Sequence, residues 1–307
     1  MRRVTSPRRP TISSCRRPPR LALALALAAA GAIGGSGLGC RGPAAATDPA
    51  GEHEPASSPP VLLRAHAHND YEHPRPLLDA LDRGFMSVEA DVHLVGGELL
   101  VAHDRDEVVP GRTLERLYLD PLRARWARHG GRILPGQPPD RPFLLLVDVK
   151  SAPRATYEAV HAALAAHEPM LTVVRDGAAR RGAVQVVISG GRPIELMRRQ
   201  RVRYAGVDGR LPDLDSDEPP HFMPLISASW WDAFFWLGDG PMPPPQRERL
   251  EAIVAKAHER GRRVRFWATP ERPEVWRLLL DAGVDLLNTD RLDAMRDFLL
   301  ETDESGG

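Results

Sequence analysis

Cysteine is scarce in this sequence. Among the 307 residues the cysteines are Cys15 and Cys40, both within the N-terminal segment, so the rest of the chain has no thiol for nucleophilic catalysis, a disulfide or a zinc cluster. Neither a GxGxxG motif nor a P-loop occurs, and the 41 basic residues balance the 41 acidic ones, which argues against nucleic-acid binding. Any chemistry must therefore come from His, Asp, Glu and Lys, and any phosphate binding must be local.

The N-terminal segment also lacks an apolar run that would make a good membrane span. Residues 1–20 carry many arginines and no acid, and an Ala/Leu run follows over residues 21–34, a pattern that predicts an export signal over residues 1–40. The GLGC sequence ending at Cys40 resembles a lipoprotein cleavage box, so lipidation of Cys40 and an ordinary signal peptide both stay open. Residues 41–60, rich in Pro, Ala, Ser and Gly, predict a flexible linker. We expect a cell-envelope lipoprotein or a periplasmic or extracellular protein.

From Val61 onward, short apolar runs alternate with helical patterns, which is typical of βα units and a parallel sheet. This alternation predicts one (β/α)8 TIM-type barrel over residues 61–300, with a disordered tail over 301–307. The eight strand candidates are Val61–His66, Ser87–His93, Phe143–Val149, Val184–Ser189, Tyr204–Asp208, Pro224–Ala228, Val264–Ala268 and Asp285–Thr289. Since barrel active sites lie at the carboxyl ends of the strands, reactive residues are expected there.

The first two strand candidates carry reactive residues with alternating spacing. Arg64, His66 and His68 share one parity, and so do Glu89 and Asp91 on the second candidate, together with His93. Burying unpaired carboxylates is costly, so paired inward carboxylates usually have a cation between them. Oxygen ligands without cysteine favour a hard ion, with Mg²⁺ expected and Ca²⁺ as the alternative. A structural salt-bridge network is the competing interpretation.

Two further segments are expected to add reactive residues at the carboxyl ends of the strands, the mouth of the barrel. His103 follows the apolar run Leu99–Ala102, close enough along the chain to fold back over the second strand as a catalytic acid or base. Asp148 and Lys150 share one parity at the end of the third strand, which adds a third carboxylate and a cation. Lys150 next to a metal-bound phosphate would neutralise charge, with Arg64 or Arg265 as further phosphate-binding candidates.

The ordered set His66, Glu89-Ala-Asp91, His103-Asp104 and Asp148-Val-Lys150 resembles the glycerophosphodiester phosphodiesterase superfamily, which includes the venom-type phospholipases D. The likeness extends to the last two strands, and the HAHNDY sequence that starts at His66 resembles the phospholipase C-like group that includes the altered inheritance of mitochondria protein six family. The resemblance implies a phosphoric diester hydrolase with Glu89, Asp91 and Asp148 as metal ligands. It also implies two histidines in acid-base catalysis, and attack by a hydroxyl within the substrate through a cyclic phosphate.

The resemblance leaves several choices open. The His-Arg-Gly that opens the family is replaced here by His66-Ala67-His68-Asn69, so His66 and His68 are both candidates for the first catalytic histidine. His66 is preferred, because His-x-x-Asn resembles the phospholipase D-type opening and His66 ends the apolar strand. The expected substrate is a glycerophosphodiester or a (lyso)phospholipid-like molecule, and the chain is expected to be a monomer. Competing functions are a metal-dependent amidohydrolase on the same barrel and a non-catalytic envelope protein that binds a phosphorylated ligand.

The last expectations concern the rim of the barrel. Asn69, Trp267 and Trp230 are predicted pocket-wall residues. The aromatic segment, residues 230–236, is expected to be a substrate lid or a surface that dips into lipid, and the alternative is a cluster packed under the barrel rim. Asp290 is expected to cap the final helix rather than face the pocket.

Overall fold

The structure is a computed structural model that describes residues 59–305, with side chains described up to Thr302. Its strands are β1 (Leu62–Ala67), β2 (Phe85–Val95), β3 (Glu98–Val101), β4 (Phe143–Val149), β5 (Val173–Arg175), β6 (Ala178–Arg180), β7 (Val184–Gly190), β8 (Val202–Arg203), β9 (Ala205–Gly209), β10 (Leu225–Ser229), β11 (Arg263–Trp267) and β12 (Leu286–Thr289). Its α-helices are α1 (Leu78–Leu81), α2 (Asp120–Arg128), α3 (Pro153–Ala165), α4 (Ile194–Arg199), α5 (Trp230–Ala233), α6 (Pro244–Glu259), α7 (Pro273–Asp281) and α8 (Leu292–Ser305).

Eight parallel strands in the described residues close into a barrel. Their order around the barrel is β1, β2, β4, β7, β9, β10, β11 and β12, and β12 pairs with β1 to complete the ring. Each of the eight predicted strand candidates overlaps one of these strands, with ends that differ by at most two residues. The predicted (β/α)8 TIM-type barrel is confirmed.

The barrel strands bury apolar side chains on their outer face against the helices, because successive side chains alternate between the two faces. The interior of the barrel, in contrast, is arranged in layers. A small apolar layer fills the middle of the barrel and consists of Leu144, Leu146, Val187, Leu225 and Leu286. Charged and polar side chains lie above this layer at the carboxyl ends of the strands, and others lie below it at the amino ends.

The hairpin of β2 and β3 returns the chain to the carboxyl mouth. β2 continues past the barrel and pairs antiparallel with β3, Val92 opposite Val101, after a turn at Gly96 and Gly97. Both glycines have positive φ, of 60° and 90°, which glycine adopts without steric cost. His103, which follows β3, is thereby brought back over the second strand as the sequence predicted.

The structure describes the C-terminal end of the chain but not the N-terminal segment. The export signal and most of the linker predicted over residues 1–60 lie outside the described residues, and both stay predictions. At the other end, α8 continues through Ser305, whereas the sequence placed a disordered tail from Glu301; the Thr302 hydroxyl donates to the Phe298 carbonyl at 2.7 Å within this last part of the helix. Within residues 59–305, none of the helices combines the length and apolar character that crossing a bilayer requires.

Candidate active site

Three carboxylates from two neighbouring strands converge at the carboxyl mouth of the barrel. Glu89 and Asp91 project inward from β2, and Asp148 lies directly opposite Asp91 in the β2–β4 register. One oxygen of each carboxylate lies within 4.8 Å of the others, and we refer to the three residues as the acidic triad. Glu89 and Asp91 are buried, while Asp148 is partly exposed, so the triad opens toward solvent on the β4 side.

The acidic triad fits a divalent cation. Asp91 Oδ1 is buried and has no hydrogen-bond partner in the described part of the chain, although buried carboxylate oxygens are normally paired. Burial and the neighbouring Glu89 raise the pKa of Asp91, which is the response of an anion that lacks full neutralisation. Lys150 Nζ lies 3.0 Å from Asp91 Oδ2 and 3.3 Å from Asp148 Oδ1, so it compensates part of the charge. An all-oxygen ligand set favours a hard ion.

Glycine is required next to the triad at one position. Gly190, at the end of β7, has φ of 61°, and a Cβ atom there would lie 2.3 Å from Asp148 Oδ1 and 2.6 Å from the Val149 carbonyl oxygen. Any larger residue would displace the Asp148 carboxylate.

Arg265 anchors Glu89 instead of facing a substrate. Its Nη2 lies 2.6 Å from Glu89 Oε2, and its Nε donates to Asn288 Oδ1 at 2.8 Å. Although burial opposes the charged form, the adjacent Arg265 holds the pKa of Glu89 well below its usual value. The predicted phosphate-binding role of Arg265 is therefore not supported by its contacts, because the side chain is buried and committed to Glu89 and Asn288.

The two histidines of β1 have different environments. His66 is fully buried, with Nδ1 2.6 Å from Ser87 Oγ and Nε2 3.5 Å from Glu89 Oε2, and burial together with Arg265 lowers its pKa to about 3. His68 is partly exposed, and its Nδ1 lies 2.7 Å from Asp290 Oδ1. Burial lowers the pKa of His68, but the hydrogen bond to Asp290 and the negative charge of Glu89 together outweigh burial, and the net pKa is raised. Only His68 of the two leaves one ring nitrogen free.

His103 contacts the triad through Asp91. Its Nδ1 is 3.0 Å from Asp91 Oδ2, and about half of its side chain is exposed. Tyr71, to which the sequence assigned no role, joins these groups: its hydroxyl lies 2.7 Å from Asp91 Oδ2, 3.3 Å from His103 Nδ1 and 2.9 Å from Asn69 Oδ1. Burial and Asp91 raise the pKa of Tyr71, so the hydroxyl stays protonated. Asn69 is thus linked to the site through Tyr71, and its place in the pocket wall stays a prediction.

Arg64 lies at the wrong end of the barrel for the predicted role. It shares the inward parity of His66, but it is two residues earlier on β1, about 6–7 Å lower at the usual rise per residue. Its Nη1 donates to the Val284 carbonyl at 2.6 Å, and the side chain lines the amino-terminal mouth. The prediction that Arg64 binds the substrate phosphate was wrong, because parity sets the face of a strand and not the depth along it.

The aromatic segment divides between core and surface. Trp230, predicted as pocket wall, is fully buried against Phe234 and Phe266, and its Nε1 donates to the Trp236 carbonyl at 2.9 Å. That prediction was wrong, because the first residue of α5 points back under the rim. Phe235, by contrast, is 81% exposed, and the other exposed apolar side chains of this rim region are Trp231, Leu237 and Trp267. Trp267 is the last residue of β11, two positions after Arg265, and its role in the pocket wall stays a prediction.

Truncating Trp230 should therefore affect stability far more than truncating its neighbour Trp231. We expect Trp230→Ala to lower the free energy of unfolding by about 3–5 kcal/mol through a cavity and a lost hydrogen bond. Trp231→Ala, in contrast, should change it by less than about 1 kcal/mol. Urea denaturation of the two variants measures this difference, and equal losses would contradict the assigned packing. Lipid contact by this segment stays a prediction.

A second charged group borders the triad, and the sequence did not single it out. The buried Asp208 of β9 accepts hydrogen bonds at Oδ2 from Ser189 Oγ at 2.9 Å and from Arg210 Nη1 at 2.6 Å. Arg192 donates to the Asp208 backbone carbonyl. Asp208 is inward on its strand, and that parity was the available signal. These residues place two arginines on the β7–β9 side of the mouth.

The loop after β1 is held by a buried aspartate. Asp70 Oδ2 accepts the Leu77 backbone N–H at 2.5 Å and the Tyr118 hydroxyl at 2.9 Å. Leu77 has φ of 64°, an unfavourable conformation for a branched side chain that needs support from such contacts. Burial is the main cause that raises the pKa of Asp70 to about 7. Asp70 therefore fixes the loop that carries His68, Asn69 and Tyr71.

Asp70 predicts a specific pH dependence of stability. Its ordinary pKa of 3.8 rises to about 7 in the folded chain, so between these values the folded state holds the proton more strongly than the unfolded state. Stability should fall as pH rises through this window, by at most about 4 kcal/mol for this group. Urea denaturation at about pH 5 and about pH 8 measures the fall. Asp70→Asn, which keeps one acceptor oxygen, should reduce it; an unchanged pH dependence in that variant would contradict the assignment.

Known proteins with similar sequences identify the family of this chain. Residues 58–208 match the family model described as AIM6-like phosphodiesterase domain, and residues 263–293 match the glycerophosphoryl diester phosphodiesterase family. The chain is 32% identical over 275 residues to altered inheritance of mitochondria protein 6 from Eremothecium gossypii, covering 78% of this chain and 70% of that protein. The chain belongs to the AIM6-like phosphodiesterase family.

Another relative and one solved structure are also similar to this chain. A homolog of altered inheritance of mitochondria protein 6 from Arthroderma benhamiae is 28% identical over 279 residues, covering 78% of this chain and 84% of that protein. A crystal structure of a glycerophosphodiester phosphodiesterase from Parabacteroides distasonis superposes with a TM-score of 0.44 at 14% identity, over 78% of this chain and 98% of that chain. Membership of the AIM6-like family confirms the resemblance drawn from the sequence and supports a phosphoric diester hydrolase.

Proposed function

We propose that this AIM6-like barrel cleaves a glycerophosphodiester or a (lyso)phospholipid-like diester by acid-base catalysis. The observation that carries the proposal is that two partly exposed histidines at the carboxyl mouth of the barrel each pair with a carboxylate. His68 Nδ1 lies 2.7 Å from Asp290 and His103 Nδ1 lies 3.0 Å from Asp91. Each carboxylate orients its imidazole and leaves Nε2 free for a proton.

The two histidines divide the proton transfers in this proposal. The raised pKa of His68 suits a general acid that protonates the leaving alcohol. His103 then accepts the proton of the attacking hydroxyl, which belongs to the substrate itself and closes a cyclic phosphate. His66, preferred from the sequence, becomes a positioning residue, because both its ring nitrogens face protein groups within the described chain.

The acidic triad supplies the charge environment for the phosphate. Glu89, Asp91 and Asp148 would hold one divalent cation, for which we propose Mg²⁺, and a bound cation would withdraw charge from a non-bridging phosphate oxygen. Lys150, at the same mouth and partly exposed, offsets negative charge on the phosphate as it develops. Arg265 keeps Glu89 ionised and in place.

Product analysis of the purified full-length chain tests this function. The chain is incubated with Mg²⁺ and a panel of glycerophosphodiesters and lysophospholipids, and phosphorus NMR separates diester, cyclic phosphate and monoester. We expect at least one diester to be consumed, with a cyclic phosphate formed before or instead of the monoester. Turnover that yields only the monoester, with no cyclic species at early times, would retain the hydrolase and remove the internal attack.

The competing functions predict different results. A non-catalytic binder would leave the whole diester panel unchanged, and that outcome would overturn the proposed function. A metal-dependent amidohydrolase would cleave amides, but no histidine joins the candidate metal ligands in the described residues. Export and attachment to the cell envelope stay proposals, since the residues that would direct them precede the described part.

A further inference from the structure

A second cavity opens at the amino-terminal mouth of the barrel, at the opposite end from the acidic triad. Its volume is about 740 Å³, and we refer to it as the basal cavity. The first residues of three barrel strands contribute Arg64, Gln185 and Arg263 to its wall. Arg141 precedes β4 and Arg181 precedes β7, and both also line the basal cavity. Four guanidinium groups therefore surround one space.

Three of these four arginines have no carboxylate partner within the described residues. Arg64 donates to the Val284 carbonyl at 2.6 Å, and Arg263 Nη2 donates to Gln185 Oε1 at 2.7 Å, both neutral acceptors. Arg181 forms neither a hydrogen bond nor an ion pair among residues 59–302. Burial lowers the pKa of Arg263 to about 10, which still leaves it charged near neutral pH. Arg64 and Arg181 thus form no ion pair among the described residues, whereas the nearby Asp285 carboxylate offsets part of the charge of Arg263.

Two acids also line the basal cavity, and both are already engaged. Asp285 Oδ2 accepts from His258 Nε2 and from the Val264 backbone N–H, each at 2.8 Å. Asp140 is exposed and lies 3.7 Å from Arg141. Neither forms an ion pair with Arg64, Arg181 or Arg263 in the described residues, so an anion from outside would find these guanidinium groups available.

The basal cavity is separate from the candidate active site. The apolar layer of the barrel interior, which includes Leu144, Val187 and Leu225, lies between the arginines and the acidic triad. A ligand in one mouth therefore does not contact the other. This separation lets the two sites be tested independently.

We propose that the basal cavity binds an oxyanion of the phosphate class, carried either by a soluble phosphate compound or by a lipid head group. The planar guanidinium groups match two oxygens of a phosphate at once, and the site has several of them aimed at one space. Its volume lies in the range of small-molecule sites, about 300–1,000 Å³. The proposal does not depend on the catalytic function of the opposite mouth.

Binding of inorganic pyrophosphate to the full-length chain tests the site. Calorimetric titration is done with EDTA present and at physiological ionic strength, so that the acidic triad carries no cation and repels anions. The double variant Arg64→Gln/Arg181→Gln should bind roughly tenfold or more weakly than wild type. The matched control Arg154→Gln/Arg247→Gln removes the same charge from surface ion pairs on α3 and α6 and should bind as wild type.

Vesicles distinguish the two sources of the phosphate group. Phosphatidylcholine vesicles with and without phosphatidic acid are sedimented with wild type and with the same variants. Binding that requires phosphatidic acid and is lost only in Arg64→Gln/Arg181→Gln assigns a lipid head group, whereas pyrophosphate binding without vesicle binding assigns a soluble compound. If Arg64→Gln destabilises the fold, Arg181→Gln alone is used, since that side chain has no partner to lose. Wild-type affinity of the basal variants for both probes, or no saturable binding by wild type, overturns the proposal.

Discussion

His103→Ala and His68→Ala should each lower turnover of the phosphodiester by about 10²–10⁴-fold, the usual loss for one general acid or base. The reason is that each imidazole has Nδ1 held by a carboxylate and Nε2 available beside the acidic triad. The folded state should be little affected, because both side chains are partly exposed. Steady-state kinetics of the two variants, with thermal melting as a folding check, measures the effect.

Asp290→Asn distinguishes a proton-transfer role of His68 from a structural one. Asp290 is the main cause that raises the pKa of His68, so its neutral replacement should shift the basic limb of the pH–rate profile to lower pH. His73→Ala is the matched control, since His73 is on the same loop but contacts no residue of the acidic triad. Wild-type turnover in His68→Ala, or an unmoved basic limb in Asp290→Asn, would return the role to His66.

Strand parity carried most of what the sequence could say about the site. The alternation of Glu89 and Asp91 with small apolar residues predicted two inward carboxylates, and Asp148 opposite Asp91 completes the set because parallel strands bring their carboxyl ends to one edge. The return of His103 was also predictable, since the apolar run before it is close enough along the chain to fold back over the second strand. Local pattern therefore sufficed where neighbours in space are near in sequence.

Strand parity did not predict the role of a residue where that role depends on the depth of the residue along its strand or on a contact with a residue distant in the sequence. Arg64 has the parity of His66 but lies at the amino-terminal mouth of the barrel. The apolar layer in the middle of the barrel separates it from the acidic triad. His68 and Asp290 are 222 positions apart in the sequence, so local pattern could not predict that they pair. Asp290 was therefore predicted to cap the final helix. Arg265 was predicted to bind phosphate, but it contacts Glu89, which lies on a strand far from it in the sequence.

Asp148→Asn tests the other half of the site, the binding of a cation. This substitution keeps the size of the side chain and removes one of the three negative charges of the triad. Asp148 is the most exposed of the three residues, so the fold should survive. We expect turnover to fall by about 10³-fold, which corresponds to about 4 kcal/mol of lost charge stabilisation in the transition state. Mg²⁺ should raise the melting temperature of wild type and raise that of the variant much less, because only a ligand of the folded state stabilises it.

The two measurements together separate a cation site from a salt-bridge network, the competing interpretation of the triad. Asp239→Asn is the matched control, since it makes the same change at an exposed carboxylate that pairs with Arg272. In a salt-bridge network, Lys150 would serve as the cation for Asp91 and Asp148, and Mg²⁺ would leave the melting temperature of wild type where it was. The unpartnered Asp91 Oδ1 argues against that outcome, because a network formed only by protein groups would be expected to satisfy this buried oxygen. A wild-type melting temperature that ignores Mg²⁺, Ca²⁺ and Mn²⁺ alike would remove the cation from the proposed reaction.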